Sequence, residues 1–117
     1  MFNINPVIFF LKLGPGLLML IFGISQVRNS EGWFDEYVPK WFRKILPMHL
    51  VMTVHAVVNI ILGVWLIVGI HLVLASWLGF VWMLSILPFA FYKSWKTGMR
   101  DLVTTLTLLA LAAYLIK

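Results

Sequence analysis

The residues best suited to chemistry are polar side chains that fall inside long apolar stretches of the sequence. Lys12 lies in the apolar stretch 6–27, and His55 and Asn59 lie four residues apart in the stretch 46–69. A polar or charged group is costly to bury in lipid, so it usually faces another helix and often marks a ligand site. The spacing of four places His55 and Asn59 on one helix face. These three residues are therefore the candidate ligand-binding pocket.

The depth of these residues in the membrane predicts which of them meet. Lys12 lies roughly 9 Å from the start of its stretch, and Asn59 roughly 15 Å from the far end of the next one. Consecutive helices run in opposite directions, so we expect Lys12 to reach Asn59, with His55 one turn deeper. Two interpretations stay open. The residues form a polar pocket for a head group such as a quinone carbonyl, or they pack the helices while Lys12 extends to the membrane surface.

Other kinds of chemistry have fewer residues to support them. The chain has no cysteine, which excludes disulfides, thiolate nucleophiles and Cys-ligated metal centres. His49 and His55 lie on different faces of one helix and His71 near the opposite membrane surface, so one copy lacks the facing pair that ligates a membrane haem. No nucleophile accompanies a base. We predict no catalytic residue, no metal site and no catalytic activity of the chain on its own.

The composition is that of a membrane protein. Of the 117 residues, 62% are hydrophobic and 11% charged, with a mean hydropathy of +1.00, whereas soluble domains are roughly half apolar and a quarter charged. The apolar residues extend over the whole chain, which predicts one domain, residues 1–117, in a lipid bilayer. The net charge of +5 belongs to short loops beside apolar segments, so we interpret it as membrane topology and not as nucleic-acid binding.

Four stretches are long enough to cross the hydrocarbon core of roughly 30 Å. They cover about residues 6–27, 46–69, 72–92 and 102–116, which predicts an all-α bundle of four transmembrane helices. Only Ile70 and His71 separate the second from the third, so these should form a tight hairpin. We expect Asp101 to cap the short fourth helix. With these boundaries no Asp or Glu lies inside a span, which argues against a transporter that needs an intramembrane carboxylate.

Residues 33–45 combine aromatic and basic side chains between the first two spans. Apolar residues recur there every four positions, which predicts one apolar helix face, and Pro39 should divide the segment in two. Such a segment is typical of a helix in the head-group layer with its rings toward the acyl chains. The expected interfacial anchors are Trp33, Phe34, Tyr37, Trp41, Phe42 and Trp95.

The basic residues predict the orientation. One side of the membrane has only His71 and the terminal Lys117, so the positive-inside rule puts the other side, with both long loops, in the cytoplasm and both termini outside. Asp101 lies on the cytoplasmic side near two of the basic residues, so we expect it to pair with Arg100 or Arg28. The basic residues of the two loops are Arg28, Lys40, Arg43, Lys44, Lys93, Lys96 and Arg100.

Short motifs along nearly the whole chain resemble one family. They are Leu13-Gly14, residues 22–26 (FGISQ) followed by Asn29 and Trp33, residues 59–63 (NIILG) followed by Gly69, and residues 98–102 (GMRDL). Their order and spacing resemble the DoxX/DoxD-like membrane proteins. The resemblance implies a four-helix fold in a prokaryotic plasma membrane and a link to quinone-coupled sulfur oxidation, terminal oxidases or redox-stress complexes. Many relatives have Glu where this chain has Asn59, whereas the Arg-Asp pair matches as Arg100 and Asp101.

Three functional hypotheses follow from these features. The leading one is a DoxX-like accessory or structural subunit of a respiratory or redox complex, which associates with other membrane subunits or with copies of itself. The alternative is a quinone-binding subunit of a membrane oxidoreductase, with Lys12, His55 and Asn59 around the quinone head group. The third is a small transporter. The leading hypothesis predicts no cofactor, and the alternative would bring a quinone.

Overall fold

The computed structural model describes residues 6–45 and 47–116, and these residues form six helices. Leu46, the expected first residue of the second span, and Lys117 lie outside the described residues. Four of the helices are long and apolar enough to cross a membrane. The predicted all-α architecture with four spans is thus confirmed, and it indicates an integral membrane protein. The helices are α1 (Pro6–Arg28), α2 (Ser30–Tyr37), α3 (Lys40–Arg43), α4 (Met48–Val68), α5 (Leu72–Lys93) and α6 (Trp95–Leu115).

α1 and α4 pack closely and antiparallel through glycines. A Cβ atom added at Gly63 would lie 2.7 Å from the carbonyl oxygen of Gly16, and one added at Gly23 would lie 2.9 Å from the carbonyl oxygen of Ala56. These distances leave no room for a side chain. Small residues permit such backbone contacts in a membrane, where close packing and polar contacts hold helices together. The glycines therefore set the depth of α1 against α4.

α5 and α6 form the second antiparallel pair. Leu108 packs over Gly79, and the ring of Phe91 lies over Gly98, so a Cβ atom at either glycine would contact these side chains. The two pairs of helices meet in an apolar core, which includes Met19, Leu66, Ala75, Met83, Leu108 and Leu111.

The connection between α4 and α5 is as short as predicted, but the two helices diverge from it. Gly69 (φ 86°) ends α4 and His71 (φ 48°) precedes α5, both in the left-handed region, and the indole N–H of Trp65 donates to the carbonyl of Ile70. Beyond this turn α4 contacts α5 far less than it contacts α1. A groove of about 400 Å³ lies between them.

α6 begins at Trp95, well before the predicted residue 102. Ser94 is its N-cap, because the Ser94 hydroxyl oxygen accepts a hydrogen bond of 3.1 Å from the backbone N–H of Thr97. The expectation that Asp101 caps this helix is wrong, since Asp101 already lies in its second turn. The charged residues Lys96 and Arg100 lower the hydropathy of this stretch, so hydropathy alone predicts a later start. The 21 residues of α6 span about 32 Å, enough for a full crossing.

The predicted break at Pro39 is confirmed. α2 ends at Tyr37, the chain is extended at Val38 and Pro39, and the short helix α3 begins at Lys40. Proline lacks the backbone N–H that a continuous helix would need here. α2 ends at this break, and it packs against α4 and α5.

This packing reverses the expected direction of most interfacial aromatic rings. Trp41 and Trp95 are 70% and 73% exposed, as an interfacial anchor should be. The expectation that the other rings point toward acyl chains is wrong, because the apolar faces of α2 and α3 pack against the bundle. These rings are buried or half-buried, and they belong to Trp33, Phe34, Tyr37 and Phe42.

Candidate ligand-binding cavity

A cavity of about 240 Å³ lies between the two helix pairs, at the end of the bundle that α2 covers. A mostly apolar lining with a few polar groups is the usual composition of a small-molecule site. The volume is below the roughly 300–1,000 Å³ of sites for whole drug-sized molecules, so the cavity fits a single ring. Its aromatic walls are Phe22, Trp33, Tyr37 and Phe89, and its polar residues are Gln26, His55, Asn59 and Asp101.

A chain of hydrogen bonds from α5 through α4 to α1 ends at this cavity. The indole Nε1–H of Trp82 donates to Asn59 Oδ1 at 2.8 Å, and Asn59 Nδ2 donates to Gln26 Oε1 at 2.9 Å. An indole N–H can only donate, so it determines which atom of the Asn59 amide is the oxygen. Asn59 then determines the orientation of Gln26 in the same way. The chain leaves both N–H groups of the Gln26 amide for a further acceptor.

The Gln26 side chain belongs to the polar part of the cavity lining. Gln26 lines the cavity and is 5% exposed. Within residues 6–45 and 47–116 this nitrogen has no hydrogen-bond partner, yet no fully buried side-chain polar atom there is unpaired. The nitrogen therefore keeps some accessible surface, and we infer that it faces the cavity, which Gln26 lines. A ligand carbonyl would satisfy it and recover a desolvation cost on the order of 1–3 kcal/mol.

Asp101 forms part of the cavity wall and is 3% exposed. Its Oδ1 lies 3.1 Å from Arg100 Nε, which confirms the predicted pair, and the Arg100 guanidinium lies 4.4 Å from the centre of the Phe22 ring. In the part of the chain that the structure describes, Arg28 has no ion pair with Asp101. The expectation that no acidic residue lies inside a span is wrong, because α6 begins before Asp101.

Lys12 is not part of the cavity. Its ammonium donates to the carbonyl of Ile67 at 3.1 Å, beside Gly69 at the end of α4. Asn59 lies eight residues earlier, about 12 Å deeper along the helix. The predicted contact between Lys12 and Asn59 is therefore wrong. The carbonyls of a last helical turn lack intrahelical partners and attract a cation, and Lys12 meets that need.

The structure brings His55 and Asn59 together at the cavity, as predicted. The His55 ring packs against the Trp82 ring with centroids 4.9 Å apart. Sequence reasoning did not assign Gln26 or Trp82 to the site. Gln26 had a signal, because it lies on the same stripe of α1 as Gly23 and so faces α4. For Trp82 the only signal in the sequence is the residue type, because a buried indole N–H usually finds an acceptor.

Comparison of the chain with protein-family models, with curated proteins and with solved structures gave no match.

Proposed function

We propose that the protein is an accessory membrane subunit that binds the ring of a quinone in the cavity. The observation that carries this proposal is the free amide nitrogen of Gln26 in a cavity with aromatic walls. A quinone ring is flat and apolar, and its carbonyl oxygens accept hydrogen bonds without donating any. Its shape fits the aromatic walls, and its carbonyls fit the donors that the Trp82–Asn59–Gln26 chain leaves open.

The charge of the cavity favours a neutral ligand over a cation. A transporter of cations would need a buried carboxylate inside a span, and Asp101 in α6 is such a residue. Arg100, however, already occupies this carboxylate, and an offset charge attracts a cation far less than a free one. A quinone ring carries no charge and therefore does not require that ion pair to break.

The accessory role rests on the resemblance to DoxX-like proteins, which links the chain to respiratory or redox complexes. In this proposal the chain holds a quinone for a partner subunit and does not itself transfer electrons. The basic loops, and with them the cavity and α2, face the cytoplasm of a prokaryotic cell, while both termini lie outside.

Purification in mild detergent, followed by solvent extraction, tests the proposal. We expect a quinone to accompany the wild-type protein and to be lost from Gln26→Leu, which removes the amide at similar size. The matched control is Thr107→Val, because the Thr107 hydroxyl bonds only within α6, to Val103 O at 2.8 Å. A quinone retained by Gln26→Leu would contradict the site. If a partner protein but no quinone accompanies the wild-type protein, the accessory role stands and quinone binding is rejected.

A further inference from the structure

We propose that the groove between α4 and α5 is a second subsite that holds the hydrocarbon tail of the ligand. The inference rests on the proposed function, and it specifies the chemical class of the ligand. The ligand is a ring with carbonyl groups and one long apolar tail, and it enters the cavity sideways from the bilayer, past Trp82.

Trp82 lies between the groove and two residues of the cavity wall. Its side chain lines the groove together with Trp65. The same indole donates to Asn59 and packs on His55, and both of these residues line the cavity. Trp82 therefore connects the groove to two residues of the cavity wall, although it does not itself line the cavity.

The groove has the chemistry of a hydrocarbon site. It is lined by aliphatic and tryptophan side chains and by Ser85, whose hydroxyl is already bonded to the Trp82 carbonyl at 2.6 Å. Ile61 and Val81 are exposed at its edges, on helices that cross the membrane, so the groove opens into the acyl-chain layer. An apolar chain loses nothing when it moves from lipid into such a groove, whereas a polar head group would.

Two other sides of the cavity suit a tail less well. The α1–α4 side is closed by backbone contact, since a Cβ atom at Gly23 would lie 2.9 Å from Ala56 O. The side under α2 carries an ion pair of 3.0 Å between Lys93 and Glu36, both partly exposed. A cavity of about 240 Å³ holds a ring but not a long tail, so the tail must leave it. The sparse contact between α4 and α5 provides the apolar exit.

Photo-cross-linking of the full chain in lipid nanodiscs tests this subsite. The probe is decylubiquinone with a diazirine at the end of its decyl chain, and the competitor is duroquinone, which has a ring but no tail. We expect cross-links at Leu78 and Val81, and we expect excess duroquinone to suppress them, because both molecules need the same cavity for the ring.

A groove-filling variant sharpens the test. Ile61→Trp should abolish the cross-links at Leu78 and Val81 while duroquinone binding stays at the wild-type level. The matched control is Leu106→Trp, an equally exposed position on α6 that lines neither space, and it should keep the cross-links.

Three outcomes would overturn the inference, and they are distinguishable. Groove cross-links that duroquinone does not suppress mean that the groove holds lipid chains in general. Suppressible cross-links on α1 or α2 mean that the tail leaves by another side. In both cases a separate duroquinone titration of the wild-type protein decides the proposed function, which stands if duroquinone binds. Absence of duroquinone binding to the wild-type protein would reject the proposed function together with the subsite.

Discussion

At the scale of single residues, one tryptophan determines what two amides offer to the cavity. Because the Trp82 indole can only donate, Asn59 must present its oxygen to Trp82 and its nitrogen to Gln26. Amide side chains without such a donor are free to reverse. The polarity of the cavity is therefore set by a residue that does not itself line it.

We predict that Trp82→Phe weakens both the fold and duroquinone binding. The ring still packs on His55, but Asn59 Oδ1 loses its donor, at a cost of about 1–3 kcal/mol. Thermal unfolding in detergent and a duroquinone titration measure the two effects. The control is Trp77→Phe, a half-exposed indole on the same helix, which should change neither. Equal behaviour of the two variants would show that the Trp82 N–H has no such role.

We predict that Lys12→Met acts on stability alone. Removing a cation from the end of α4 should cost about 0.3–1 kcal/mol, with unchanged duroquinone binding. Its effect should add to that of Asn59→Leu within about 0.5 kcal/mol, because distant sites without a shared partner are independent. A double-mutant cycle by thermal unfolding measures this, and a larger coupling energy would place the two residues in one network.

At the scale of elements, close contact between α1 and α4 should tolerate no added atom. We predict that Gly63→Ala destabilises the protein by about 1–3 kcal/mol, the usual range for overpacking. A Cβ atom there would lie 2.7 Å from backbone atoms of Gly16 and Leu20. Gly14→Ala is the matched control, because nothing lies within 4 Å of an added Cβ atom, and alanine favours helix. Thermal unfolding compares the two, and equal stabilities would refute the close packing.

Sequence patterns predicted the four spans and the break at Pro39, but not what each surface contacts. Hydropathy marks the lipid-crossing stretches well, yet it misplaced the start of α6, where Lys96 and Arg100 lie on a helix that continues past them. The ring pattern of α2 suits a membrane interface and a cover over the bundle equally, and only tertiary packing decides between them. The spacing of four residues was enough to predict that His55 and Asn59 share one helix face. The partner of Lys12 was not, because it is a backbone carbonyl.

At the scale of the whole molecule, the basic loops, α2 and the cavity lie at one end. The ion pair of Lys93 with Glu36 joins the end of α5 to α2, and Arg100 reaches Phe22 on α1. The orientation of the chain therefore decides from which side of the membrane a partner subunit meets the covered end.

We predict that this end faces the cytoplasm. The chain is free of cysteine, so single cysteines at Glu31 in α2 and at Ile70 in the opposite turn report the two sides directly. In intact cells an impermeant maleimide should label Ile70→Cys and leave Glu31→Cys unlabelled until the cells are opened. The reverse pattern would invert the topology.

The most direct test of quinone binding uses the fact that Gln26 is the only glutamine in the chain. Selective ¹⁵N labelling of the glutamine side chain gives one pair of amide resonances, which belongs to the group that should donate to the ligand. We predict that duroquinone shifts this pair in a saturable way and that Trp82→Phe needs a higher duroquinone concentration for the same shift. A pair that stays in place up to saturating duroquinone would contradict the proposed binding of a quinone ring by Gln26.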